Sequence, residues 1–393
     1  MRPARSAWII AAFASLLVLL LAGACANVAS PKGWSAPVDG DGVVVVAHKD
    51  KLYTVDSADD LFGKLLFPPE PNVEDIDTEA LYGATVVVGD RIFVPTYDKR
   101  LYAINFDGFQ VWPGPFEADG QLIGGVIFVP DEDGVEGDDA DGELPAGTVY
   151  FGSEDGKLYA LEADRGIQSW IFETDDGIWS TPAIFEGLLY VTSLDGNLYV
   201  LDAKTGELQW KFETDAGIAS TPVIDEAERL VFVGGFDSKL RAIDIDTQEE
   251  RWSFSADNWF WTTPLVADGI VYAGSLDGNV YAVDIATGRS AWAQPFETEQ
   301  LVRSAPALAG GVLVVADGDG NVFGIDPETG VDVFNGSIPL PDKVLADPLV
   351  RVGLGDDGEA PAEIVLIVTT GGELYGIDPQ APREYDRPVQ LGD

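Results

Sequence analysis

From about residue 36 onward, short runs of β-branched and aromatic residues alternate with clusters of Gly, Asp, Asn and Pro. One unit recurs about every 40 residues. A short apolar run follows a Ser-Thr-Pro triplet, as at Ser180-Thr181-Pro182 and Ser220-Thr221-Pro222. A second run, Leu189–Thr192, meets Asp195-Gly196, a strong hairpin signal, because that turn needs residues at ease with positive φ. A third run, Leu198–Leu201, ends at Thr205-Gly206, and a fourth carries Trp210. Equivalent positions of the third run are Tyr53, Tyr102, Tyr159, Tyr199, Arg241, Tyr281, Phe323 and Tyr375, which makes eight units. No segment after the N-terminal stretch shows a helical period. Eight four-stranded meanders arranged radially leave few exposed edges, and neighbouring units bury each other's faces. The pattern therefore predicts an all-β, eight-bladed β-propeller of four-stranded antiparallel blades over residues 36–393. Its ring could close through Val389–Leu391 or through the segment around Trp34.

The stretch Ala282-Val283-Asp284, Thr287-Gly288 and Trp292 resembles the tryptophan-docking repeat of the PQQ-like (quinoprotein-type) eight-bladed propeller family. Residues 200–210 match with Val200 in place of the first Ala, while Gln248 replaces the Gly in the fifth blade and Phe334 the Trp in the seventh. The resemblance implies the fold over roughly residues 36–380. It leaves the chemistry open, because the family holds both quinoprotein dehydrogenases and non-enzymatic, BamB-like lipoproteins of outer-membrane assembly.

Charge narrows the choice. The chain carries 23 Lys+Arg against 67 Asp+Glu, a net charge of −44. Phosphate binding needs clustered cations, so nucleic acid is excluded as a partner. A single cysteine rules out an intrachain disulfide, including the vicinal disulfide that the resemblance would imply beside a quinone. A trianionic quinone also calls for channel Arg or Lys, so no cofactor is expected and PQQ is disfavoured.

The N-terminus changes the picture again. Arg2 and Arg5 precede an apolar run from Ala7 to Leu21, broken by Ser15, and then Ala22-Gly23-Ala24-Cys25. This run is short for a bilayer span and suits a signal-peptide core. Small residues before a lone cysteine resemble a bacterial lipobox. The expected organisation is a signal peptide over 1–24, a lipid-anchored tether over 25–35 with Cys25 acylated, and the propeller over 36–393. That places a monomeric protein on the extracytoplasmic side of a bacterial membrane: periplasmic at the outer membrane of a diderm host, or on the surface of a monoderm.

Several apparent motifs dissolve into the repeat. Asp317-Gly-Asp319-Gly-Asn321 looks like a calcium loop but aligns with the hairpin Ser193–Asn197. Trp170, Trp210, Trp252 and Trp292 recur at fixed phase, which is the mark of packing between blades. The single histidine, His48, falls at a turn position and lacks partners for zinc. An acidic insertion in the third blade, including Asp131, Asp133, Asp139 and Asp141, is a solvated loop whose only weak metal reading is loose calcium binding.

Where the repeats differ, function can reside. Immediately before the Ser-Thr-Pro-type triplets stand Trp179, Phe260-Trp261 and Leu301-Val302-Arg303. The family resemblance implies that these positions surround the channel mouth. Aromatics and Arg are enriched in interface hot spots, so Trp179, Phe260, Trp261, Leu301 and Arg303 form the candidate face for a protein partner. The alternative is a small ligand or carbohydrate stacked on Trp179 and Trp261; a quinoprotein enzyme is the third reading.

Overall fold

The computed structural model describes residues 33, 35–40, 43–55, 64–67, 80–131, 146–352, 363–382 and 388–391. Eight four-stranded antiparallel sheets follow one another along the chain, each contiguous in sequence and ordered from first to fourth strand. The fourth blade is representative, with strands Ala183–Phe185, Leu188–Thr192, Asn197–Asp202 and Leu208–Glu213. The eight-bladed, all-β expectation stands. No helix of the described residues is long and apolar enough to cross a membrane. The signal peptide, the tether and Cys25 lie outside the described residues.

Local chemistry explains each blade. At the turn between the second and third strands of the fourth blade, Asp195 accepts the Asn197 amide through Oδ1 (2.9 Å) and the Tyr199 hydroxyl through Oδ2 (2.7 Å). Asp155–Tyr159 and Asp277–Tyr281 repeat the tie at 2.8 Å. The fifth blade has Arg241 in the tyrosine's place, buried and ion-paired to Asp237 and Glu250. The calcium-like segment is likewise a hairpin: Asp317 is buried and accepts the amides of Asp319 and Asn321, both at 3.0 Å.

The tryptophans join blade to blade. In the third, fourth and fifth blades the register between third and fourth strands shifts beside the tryptophan, at Ala160/Leu161, Val200/Leu201 and Ala242/Ile243. Such a bulge re-aims the side chain. Trp252 then lies over the turn of the next blade and donates Nε1–H to the Ile285 carbonyl at 2.7 Å. In the sixth blade that turn is glycine, and the indole leaves no room for a side chain. Gly288 has φ of +66°, and a Cβ there would stand 2.5 Å from Trp252 Cγ. Trp112, Trp170 and Trp292 dock in the same way, on Ala163, Ala203 and Pro327 carbonyls.

Apolar clusters accordingly straddle blade pairs. Tyr150, Leu158 and Ala160 of the third blade pack with Leu189, Val191 and Leu201 of the fourth. The ring closes by the same packing: Val44, Val46 and Val55 of the first blade meet Val368, Leu374 and Leu391 of the last. The outer strand of the last blade is Val389–Gln390, paired to the third strand of that blade, Glu373–Ile377. Of the two closures the sequence left open, the C-terminal one is realised.

His48 departs from the expected turn. It ends the second strand of the first blade, pairs with Lys51 and is 3% exposed. Its ring packs against the backbone of Gly372 in the last blade. The connection there is one residue shorter than Ser193–Asn197, which brings the histidine into the strand.

Candidate functional site

In every blade the start of the inner strand and the hairpin between second and third strands lie at the same end of the ring. The Ser-Thr-Pro triplet organises this end. Its serine ties the inner strand to its own blade: Ser180 Oγ donates to Thr192 O (3.1 Å), and Ser220 Oγ to Gly234 O (3.0 Å). Its threonine ties neighbouring blades. Gly125 N–H donates to Thr181 Oγ1 (2.9 Å), and Thr181 N–H to Thr221 Oγ1 (3.2 Å). Its proline has no amide to satisfy at the strand entry. In the last blade Asp347 takes the threonine's place, accepting the Ala305 amide at 2.6 Å and the Thr263 hydroxyl at 3.4 Å.

Above this belt opens a cavity of about 570 Å³. In seven blades the residue preceding the triplet position contributes a side chain to its wall: Tyr82, Ile123, Trp179, Ala219, Trp261, Arg303 and Leu345; in the first blade the lining residue is Ala36, the middle residue of Ser35-Ala36-Pro37. Because Ala219 is small, Trp179 and Trp261 meet across it, with ring centroids 5.8 Å apart and planes at 48°. Arg303 places its guanidinium 4.7 Å from the centroid of Trp261. Three of the five expected site residues, Trp179, Trp261 and Arg303, therefore converge.

Two do not line the cavity. Phe260 is fully buried and packs with Leu240, Trp252 and Ala273 between the fifth and sixth blades. It is in phase with Ile178, Ile218 and Val302, all of them 0% exposed, so the repeat itself assigns it to the core. Leu301 is 42% exposed and lies beside Gly318.

The wall also holds residues that the sequence reading passed over. Trp259 and Phe236 stack at 4.4 Å, and Phe236 stacks on Trp261 at 5.3 Å. Tyr82 and Tyr97 meet edge to face at 5.1 Å. Glu154 accepts the Trp179 indole N–H. Phe236, Tyr97 and Glu154 occupy the hairpin position held by Leu194 in the fourth blade. Their signal was variation in that single column.

The electrostatics are set by the two carboxylates. Burial pushes Asp347 above the usual carboxylate range, against the hydrogen bonds from Ala305 and Thr263. Glu154 is also pushed up, chiefly by lost hydration, then by Asp176 and Asp155, with the indole hydrogen bond pulling the other way. Part of its side chain remains open to solvent. Among the described residues lining the cavity, Arg303 is the only cation.

Of the weak metal loop, Asp131 is described, where its amide donates to Ala146 O at 2.9 Å, and Asp133, Asp139 and Asp141 lie outside the described residues. Among the described residues no group of three or more His, Cys, Asp or Glu is placed to hold a metal.

Comparisons with known proteins agree on the fold. A family model described as the outer membrane protein assembly factor BamB matches residues 139–228 and 225–350, more than half the chain. BamB from Moraxella catarrhalis superposes with a TM-score of 0.63 at 15% identity, covering 88% of this chain and 92% of that one. The quinohemoprotein alcohol dehydrogenase ADHIIG from Pseudomonas putida HK5 gives 0.68 at 17%, covering 87% and 70%. The computationally designed Ika8 protein gives 0.62 at 16%, covering 88% and 94%. At such identities the superpositions speak for the fold alone. No curated protein matches the sequence.

Proposed function

The chain belongs to the PQQ-repeat propeller family whose model is described as BamB, and from that premise we propose that it is a non-enzymatic scaffold of the bacterial envelope. It holds a protein partner on the channel-mouth face and is tethered to the membrane by lipid at Cys25. One observation carries the reading: Trp179, Trp259, Trp261, Phe236 and Arg303 gather on one rim. Partly exposed aromatics beside an arginine are the composition of interface hot spots.

A quinone cofactor suits this lining poorly. Its carboxylates would meet Glu154 and Asp347, with Arg303 as the sole lining cation among the described residues.

Co-purification from native membranes in mild detergent tests the proposal. The wild type should retain a stoichiometric envelope protein that the Trp179→Ala, Trp261→Ala variant loses. Equal recovery by both would overturn the placement of the partner on this face.

A further inference from the structure

We propose that the channel-mouth cavity is a binding site for an organic cation, an alkylammonium or guanidinium group seated among its aromatic rings. This deepens the reading of the rim as a recognition surface and rests on it.

The first argument is the wall. Six aromatic side chains, Tyr82, Tyr97, Trp179, Phe236, Trp259 and Trp261, surround about 570 Å³. Indole faces are the strongest of the natural cation–π acceptors. The protein already uses one in this way, with the Arg303 guanidinium 4.7 Å from the Trp261 ring centroid.

The second argument is charge that the site leaves uncompensated. Glu154 and Asp347 both line the cavity. Their hydrogen-bond donors are neutral: the Trp179 indole, the Ala305 amide and the Thr263 hydroxyl. Among the described residues, the charged groups acting on Glu154 are the acids Asp176 and Asp155, and no cation is among the groups acting on Asp347. A cation bound between the rings would supply the missing charge in a partly desolvated place, where such pairs gain most. At long range, the net charge of −44 raises the local concentration of cations at such a cleft.

The third argument separates a cation from a sugar. Trp261 is packed against Phe236 and lies under Arg303, and Trp179 is tilted 48° to it. The pair does not present two parallel open faces to a pyranose ring.

The same chemistry has two sources, a free quaternary ammonium compound or the Lys or Arg side chain of a protein partner. Tryptophan fluorescence of the full mature protein in mild detergent separates them. Choline and N-acetylarginine amide are titrated at constant ionic strength, beside 3,3-dimethylbutanol, the uncharged isostere of choline, and glucose. A saturable response to at least one cation, absent with the neutral isostere and the sugar, is expected, and the tighter of the two cations names the source. Trp179→Leu and Glu154→Gln should each weaken that response by about tenfold while the thermal transition stays in place. A response equal for cation and isostere, saturation by glucose instead, or no saturable response to either cation overturns the inference. So does unchanged affinity in both variants. Partner capture measured on the same samples keeps the two readings apart: capture that persists without a cation response removes only this inference.

Discussion

Blade-to-blade docking of tryptophan on glycine can be measured apart from the strain of a left-handed backbone. Gly288 and Gly269 both lie in the sixth blade with positive φ, +66° and +78°. A Cβ on Gly269 meets nothing within 4 Å, whereas one on Gly288 would stand 2.5 Å from Trp252 Cγ and 2.7 Å from its Cβ. Alanine at Gly269 should cost about 1 kcal/mol, the left-handed penalty less the entropy removed from the unfolded chain. Alanine at Gly288 carries that cost and must also displace the indole. Overpacking adds about 1–3 kcal/mol, and disturbing the 2.7 Å bond from Trp252 to Ile285 adds about 1 kcal/mol. The expected gap is about 3 kcal/mol, or about 6 °C in apparent Tm at roughly 2 °C per kcal/mol. Scanning calorimetry of the two variants at one scan rate reads it. Transitions within about 1 °C of each other would refute the docking account.

Other consequences follow from single positions. Arg241 is 3% exposed and holds Asp237 and Glu250, so Arg241→Met should cost about 3–5 kcal/mol in urea unfolding by stranding buried charge. Arg241→Tyr, the residue of the neighbouring blades, should recover most of that loss by restoring the Asp–Tyr tie. His48 is held below the ordinary imidazole value of 6.5, first by burial and then by Lys49, against Thr370 and Asp50. The folded state thus binds its proton less readily than the unfolded chain, and this contribution to stability is present above pH 6.5 and lost as pH falls through it. His48→Ser should therefore show a smaller drop in Tm than wild type between about pH 7.5 and about pH 5.5; parallel curves would contradict the buried-imidazole account.

Most of the architecture was legible because it is periodic. Eight equivalents of Tyr199, the Asp-Gly turns and the recurrent tryptophans each repeat a local rule, and repetition averages out local error. The site is legible only by subtraction. Trp179, Trp261 and Arg303 stood out because they break a column occupied elsewhere by Ala219 and Ile123. Phe260 misled by standing beside them in an aromatic run, although its phase with Ile178 and Val302 marks it as core. Phe236 and Glu154 come from two hairpins, each more than 20 residues from the tryptophans it touches ahead of the next triplet, and only the packing of neighbouring blades brings the two columns together. His48 was misplaced because a one-residue deletion in its turn shifts the register, a change that a periodic alignment hides.

The rim account is tested most directly by the affinity of the captured partner for three forms of the protein. In addition to the wild type, these are the Trp179→Ala, Trp261→Ala variant and Phe109→Ser, at a residue 63% exposed at the opposite end of the ring. The rim variant should raise Kd by about thirtyfold or more, and Phe109→Ser should leave it within about twofold. Unchanged affinity in the rim variant, or a larger loss from Phe109→Ser, would contradict the account.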